Sequence, residues 1–258
     1  METQEIYNTR QLKFTTPSGH MVSIREQNGA DDDVLSNPAE AATLMNLSRF
    51  LAGIIIDSDY TSSGKLTAEE VHNLPSLDRY AILFNSRIFS LGETLEFKYN
   101  WGQSGGEVEY EQDLREFLFD YSKVPSMEEL EAKPHAIPFY PEPGKTKDIE
   151  FTLTSGKKLK FDLMTANGEN YITNLPLEKQ TKNQVYVARN LCLMVNEKWD
   201  KVTNFSMFSI KDMKEIRNQI HSLDPVFEGI TTIENPTTKE KANVSIVGMG
   251  DFFYPGEI

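Results

Sequence analysis

Apolar and polar residues alternate through Lys13-Phe14-Thr15-Thr16-Pro17-Ser18-Gly19 and again through Met21-Val22-Ser23-Ile24. Alternation on both sides of a Pro-Ser-Gly turn predicts a β-hairpin. Similar text returns as Glu150-Phe151-Thr152-Leu153-Thr154-Ser155-Gly156, followed by Leu159-Lys160-Phe161-Asp162-Leu163. One constant offset separates Phe14 from Phe151, Ser18 from Ser155 and Gly19 from Gly156. Asn-Gly follows in each half (Asn28-Gly29, Asn167-Gly168), and Asn near Pro then opens the next segment (Asn37-Pro38, Asn174-Leu175-Pro176).

The period then becomes helical. Asn37 is a cap, Pro38 suits the first helical position, and Glu40 falls in the first turn. Leu44, Leu47, Leu51, Ile54 and Ile55 continue as one apolar stripe. The corresponding stripe in the second half is Ala188, Leu191, Met194 and Val195. A further helix is expected in each half, through Leu77, Tyr80, Ala81, Phe84, Ile88 and Leu91 and through Ile210, Met213, Ile216, Ile220 and Leu223. Strand-like text closes both: Leu95 to Tyr99 with Val108 to Tyr110, and Ile230 to Ile233 with Val244 to Val247. Aromatic runs come last, Phe117 to Tyr121 and Phe252-Phe253-Tyr254.

This order predicts an α+β fold, two tandem copies of a β-hairpin–helix–helix–strand domain over residues 1–122 and 149–258. Between them, residues 123–148 hold five of the twelve prolines. Proline at that density cannot donate to a helix or sheet ladder, so a semi-extended linker is expected, with one short turn at Met127 to Ala132. The length of 258 residues agrees with two domains, since a single domain usually runs to roughly 100–150.

Charge narrows the partners. With 39 acidic against 26 basic residues and a net charge of −13, the surface repels phosphate backbones and anionic lipid, so neither nucleic acid nor membrane is expected as a partner. Cys192, the single cysteine, lies in the apolar run Leu191 to Met194 and reads as a small core residue in a reducing compartment. The start of the chain has no signal-peptide pattern, and Phe50 to Ile56 is too short to span a bilayer, so an intracellular protein is expected.

Few residues offer chemistry. Asp31-Asp32-Asp33 reads either as a contact for a cation or basic partner, or as solvated carboxylates favouring the coming helix. Asp59 to Glu70 places Asp59, Gly64, Leu66 and Glu70 as a calcium loop would, although Thr61 and Ser63 replace two carboxylates. The same text reads more simply as Thr67 capping a helix, with Glu70 completing a capping box. Trp101 to Gly106 is a Gly-rich turn with no lysine or helix after it, which does not describe a phosphate cradle. His20, His72, His135 and His221 form no zinc-spaced pair, and no catalytic or cofactor motif appears, so no cofactor is expected.

The segments Ile24-Arg25-Glu26-Gln27-Asn28-Gly29-Ala30-Asp31-Asp32-Asp33-Val34-Leu35-Ser36-Asn37 and Glu107 to Leu114, leading into Phe117 to Tyr121, resemble the baseplate hub assembly family of T-even-like phages. The resemblance covers about residues 10 to 122 and reaches the second half only through the internal repeat. It implies a non-enzymatic tail or baseplate component or assembly chaperone. Such a protein works in the host cytoplasm during assembly and in the virion tail if retained, meets other tail proteins, and can belong to a ring assembly. Candidate partner-binding residues are then Asp31, Asp32, Asp33, Phe117, Phe119, Tyr121, Phe252, Phe253 and Tyr254. Two other classes stay open at this point: a calcium-responsive adaptor using Asp59 and Glu70, and an uncharacterised hydrolase.

Overall fold

The first hairpin forms as β1 (Gln11–Thr15) and β2 (Met21–Arg25) in the computed structural model, which describes residues 10–102, 105–247 and 250–253. Its turn closes through Thr16 N–H to His20 O and Gly19 N–H to Thr16 O, both 2.8 Å. Gly19 supplies the left-handed φ of 87° that the turn requires. Then come α1 (Gly29–Leu35), α2 (Pro38–Ala41), α3 (Met45–Ile54) and β3 (Ile55–Ser58), which pairs antiparallel with β2 to give the order β1-β2-β3.

The helix expected to run from Asn37 past Ile55 is therefore interrupted. Asn37 does cap α2 through Ala39 N–H, but Leu44 sits at φ 58° and restarts the chain as α3. Ile55 leaves the helix altogether, because the β-branched run Ile54-Ile55-Ile56 fits a half-buried strand better than a helix interior.

After α4 (Ala68–His72) comes α5 (Ser76–Leu91), then the hairpin β4 (Thr94–Asn100) and β5 (Glu107–Asp113), then a short 3₁₀ turn at Leu114–Phe117. α5 is buried nearly all round: Leu77, Asp78, Arg79, Ala81, Ile82, Leu83, Phe84, Ser86 and Arg87 are all inside. The proline-rich stretch holds α6 (Met127–Ala132) and hydrogen-bonded turns at 133–136 and 142–145, and it is pinned to the core. Ile137 N–H donates to Phe117 O at 2.9 Å, Tyr121 Oη donates to Ile137 O at 2.8 Å, and Ile137 and Tyr140 are buried.

The C-terminal half begins with β6 (Ile149–Thr152) and β7 (Lys158–Phe161), followed by α7 (Ala166–Thr173) and α8 (Gln184–Ala188). Next are β8 (Cys192–Val195) and β9 (Lys198–Lys201), completing the antiparallel order β6-β7-β8-β9. The stripe Ala188, Leu191, Met194 and Val195 is thus not one helix. α8 stops at Ala188, and the two residues between β8 and β9, Asn196 and Glu197, both have positive φ (48° and 63°). That is the requirement of a two-residue hairpin turn whose twist suits its strands. Cys192 lies half-buried on β8 rather than in the core, with Sγ 3.2 Å from Asn190 O, and burial raises its thiol pKa.

The last described elements are α9 (Ile210–Leu223), the hairpin of β10 (Ile230–Glu234) and β11 (Lys241–Ser245), and α10 (Gly250–Phe253). The result is a mixed helix-and-strand fold with four small antiparallel sheets among the described residues. One continuous apolar core runs through both halves, from Val22, Ile24 and Phe50 to Phe161, Ile216 and Phe252.

Candidate functional site

The segment Arg25 to Asp31 is a locked connector between hairpin and helices. Asn28 caps α1 by accepting from Ala30 N–H at 3.0 Å, while Asp31 accepts the Asn28 N–H at 2.8 Å, a reciprocal capping box. The Arg25 guanidinium grips Asp31 with two bonds of 2.7 and 2.8 Å. Such a fork is stronger and more directional than a single ion pair. Gln27 N–H donates to Ser90 Oγ at 2.9 Å, tying the connector to α5. Asp31 is therefore a buried structural carboxylate, while Asp32 and Asp33 stay exposed on α1.

Each Ser-Gly turn is clamped to an aspartate in the first turn of a long helix. Ser18 donates to Asp78 through its backbone N–H (2.9 Å) and its Oγ (2.5 Å), and Tyr60 Oη donates to the same carboxylate at 2.8 Å. Ser155 Oγ donates to Asp212 at 2.6 Å, joined there by the Lys157 ammonium at 2.8 Å. The second turn closes like the first, with Leu153 N–H to Lys157 O at 2.9 Å and Gly156 N–H to Leu153 O at 2.8 Å. Burial raises the pKa of Asp78 despite its three donors, whereas Lys157 and the serines hold Asp212 far below the usual carboxylate range. His20 stacks on Tyr60 and bonds Asp59 at 2.9 Å, while Ser18 Oγ is spent on Asp78. No hydrogen bond links that serine to the histidine among the described residues. The cluster holds a turn in place.

A second polar cluster lies on the seam between the halves. Asn170 donates its amide to His72 Nε2 at 3.0 Å and also to Thr43 O. The proton therefore sits on Nδ1, which donates to Ser48 Oγ at 2.8 Å. Burial, and after it the Arg79 charge, lower the His72 pKa, so the ring is held neutral. Arg79 reaches Ser48 Oγ at 3.3 Å and Glu169 at 3.9 Å, and Ser76 Oγ donates to Glu169 at 2.6 Å. Across the same seam Ser76 N–H donates to Met164 O at 2.8 Å.

The Asp59–Glu70 segment follows its simpler reading. Thr67 caps α4, and Glu70 returns the bond to Thr67 N–H at 2.8 Å. Asp59 accepts from His20 and from Met21 N–H. Among the described residues no group of three or more His, Cys, Asp or Glu is arranged to hold a metal ion.

The aromatic runs are mostly interior. Phe117 and Phe252 pack against Phe84 with ring centroids 5.4 and 5.1 Å away, Tyr121 is buried, and Phe253 is partly covered against Phe252. Phe117 and Phe252 offer no surface to a partner, because burying such rings is what closes the core. Tyr254 lies outside the described residues. Phe119 and the edge of Tyr121 do reach an apolar groove of about 760 Å³, lined with Val124, Pro125, Leu130 and Phe139. Val124 is 95% exposed at its lip, and Leu130 is also exposed. The sequence reading missed Val124 and Leu130, which were hidden in text that reads only as linker. It also missed the Ser18–Asp78 and Ser155–Asp212 clamps, although Ser in each turn and Asp in each first helical turn are visible in the sequence.

Comparison with family profiles, with curated proteins and with solved structures finds no match to this chain.

Proposed function

We propose that this protein is a non-enzymatic phage tail or baseplate component, or an assembly chaperone, built from two copies of one fold and acting through protein–protein contacts. The supporting observation is where the resemblance falls. Its first segment contains the Arg25–Asp31 connector, part of the frame, and its second is β5, a largely exposed strand that leads to buried Leu114 and Phe117. A likeness that includes a contact determining the fold, the Arg25–Asp31 fork, supports a common fold.

The doubled architecture draws support from three features. The strand pairing β1-β2-β3 parallels β6-β7-β8, the two Ser-Gly turns close with the same backbone bonds, and each is clamped to a long helix by an aspartate. Fold kinship alone does not define a task. The contact surface is assigned to the groove beside α6, where exposed Val124 and Leu130 flank Phe119 and Phe139. An apolar groove of this kind takes an apolar segment of a partner.

The test is capture of tail-tube, hub and tape-measure proteins encoded beside this gene by the immobilised chain, alongside Val124→Asp/Leu130→Asp. The expected result is retention of at least one of them by the wild type and loss of that retention in the variant at unchanged melting temperature. Failure to retain any of them would overturn the proposal.

A further inference from the structure

The chain carries 13 more acidic than basic charges, yet the ionisable residues along one face of α9 are all basic. Lys211, Lys214, Arg217 and His221 recur at steps of three and four and are exposed. None of the three permanent cations on this face has an ion-pair partner among the described residues. The two carboxylates of α9 point elsewhere: Asp212 is engaged by Ser155 and Lys157, and Glu215 accepts from Thr154. Ile210, 91% exposed, stands at one end of the stripe.

The surface of complementary charge is the outer face of the β4–β5 hairpin. Glu96, Glu107, Glu109 and Glu111 are exposed there, and Lys98 is the cation among them, 3.6 Å from Glu107 and 3.8 Å from Glu109. Glu96 stands directly across from Glu111. Like charges directly opposed across two strands destabilise the pair, and a cation laid between them removes that cost.

We infer that the chain self-associates head to tail, the α9 stripe of one copy lying on the β4–β5 acidic face of the next. The charges balance: three permanent cations meet four carboxylates that already hold one lysine. The lengths agree as well. Alternate strand residues lie about 7 Å apart, so Glu107 to Glu111 covers about 14 Å. Lys211 to His221 covers about 15 Å of helix at about 1.5 Å per residue. Two different surfaces meet, so the contact is heterologous and propagates from copy to copy, closing into a ring only if the rotation permits. It is a contact of charges at exposed positions, so it weakens with salt. It does not depend on the tail-protein reading, and failure to capture tail proteins would leave it standing.

Charge exchange followed by sedimentation velocity tests it. Wild type is expected to form species larger than the monomer in low salt, about 20 mM, and to revert to monomer near 0.5 M, where the screening length falls to a few Å. Lys211→Glu/Lys214→Glu/Arg217→Glu is expected to be monomeric, as is Glu107→Lys/Glu109→Lys/Glu111→Lys, while an equal mixture of the two regains association. Glu96→Gln/Glu111→Gln provides a milder variant, expected to melt higher than wild type and to associate at least tenfold more weakly. A wild type that stays monomeric in low salt would overturn the inference. So would reversed variants that associate as wild type does, or folded variants whose mixture remains monomeric.

Discussion

α5 and α9 stand at matching points of the chain, each following an antiparallel sheet and preceding a hairpin, yet they live in different surroundings. α5 has buried residues on every side, and Phe84 at its middle touches Phe117 from its own half and Phe227 and Phe252 from the other. α9 buries one stripe, Asp212, Ile216 and Ile220, with Met213 and Leu223 partly covered beside it, and exposes Lys211, Lys214 and Arg217. Helices apolar on all sides belong in the centre, and amphipathic ones belong at the rim. The comparison shows that two similar segments can divide the work, one joining the halves and the other facing outward.

The same contrast recurs in the clamps. Asp78 is fully buried among neutral donors, so burial dominates and its pKa rises. Asp212 shares its serine-bearing turn with Lys157, and the hydrogen bond from that ammonium lowers its pKa. At Asp212 the hydrogen bonds from Lys157, Ser155 and Ser209 outweigh burial, and the shift takes the opposite sign.

Four experiments would break or sharpen this comparison. Phe84→Ala should be the most damaging, at about 3–5 kcal/mol, since it empties a site walled by aromatics. Urea unfolding should show both halves losing structure together, and separate transitions for the two would deny α5 its joining role. Ile216→Ala, a smaller buried side chain on a helix with one buried face, should cost about 2–3 kcal/mol. An equal or larger loss than for Phe84→Ala would erase the distinction between the helices. Ser209→Ala removes the α9 cap, whose Oγ accepts from Asp212 N–H at 3.0 Å, and should cost about 1 kcal/mol in the same assay.

The subtlest test is pH. Asp212 has a depressed pKa in the folded state, so its contribution is present above the ordinary carboxylate value and fades as pH falls through and below about 4. Asp78 has a raised pKa, so the folded state loses stability as pH climbs from about 4 toward that raised value. Unfolding curves from pH 3 to 7 should therefore show the cost of Asp212→Asn growing with pH and the cost of Asp78→Asn shrinking. Slopes of the same sign would sink the account of the two clamps.

Much of the scaffold was legible in the sequence. Both N-terminal-type hairpins, both long helices and both closing hairpins lie where period and turn residues put them. The failures have physical causes. Leu191 to Val195 is a short apolar run, and periodicity alone cannot tell such a run from a helix; the turn pair Asn196-Glu197 decides it, through positive φ that asparagine tolerates well and glutamate less so. The break at Leu44 follows no propensity rule, because a leucine in the left-handed region is held there by its surroundings. Asp31 looked like surface acid because its partner Arg25 is six residues away, a pairing set by the connector rather than by helix spacing. The aromatic runs were legible as clusters, but sequence gives no sign of which rings face inward.

One contact also bears on how the chain comes into being. Arg87 donates from its Nε to the carbonyl of Phe252 at 2.8 Å, and the Phe252 ring helps to enclose Phe84. A ribosome delivers residue 84 long before residue 252, so this part of the interior lies open during most of translation. Domains usually fold as they emerge, N-terminal first; here the site around Phe84 stays open until residue 252 has been made, so a fragment that stops before α10 leaves that ring uncovered.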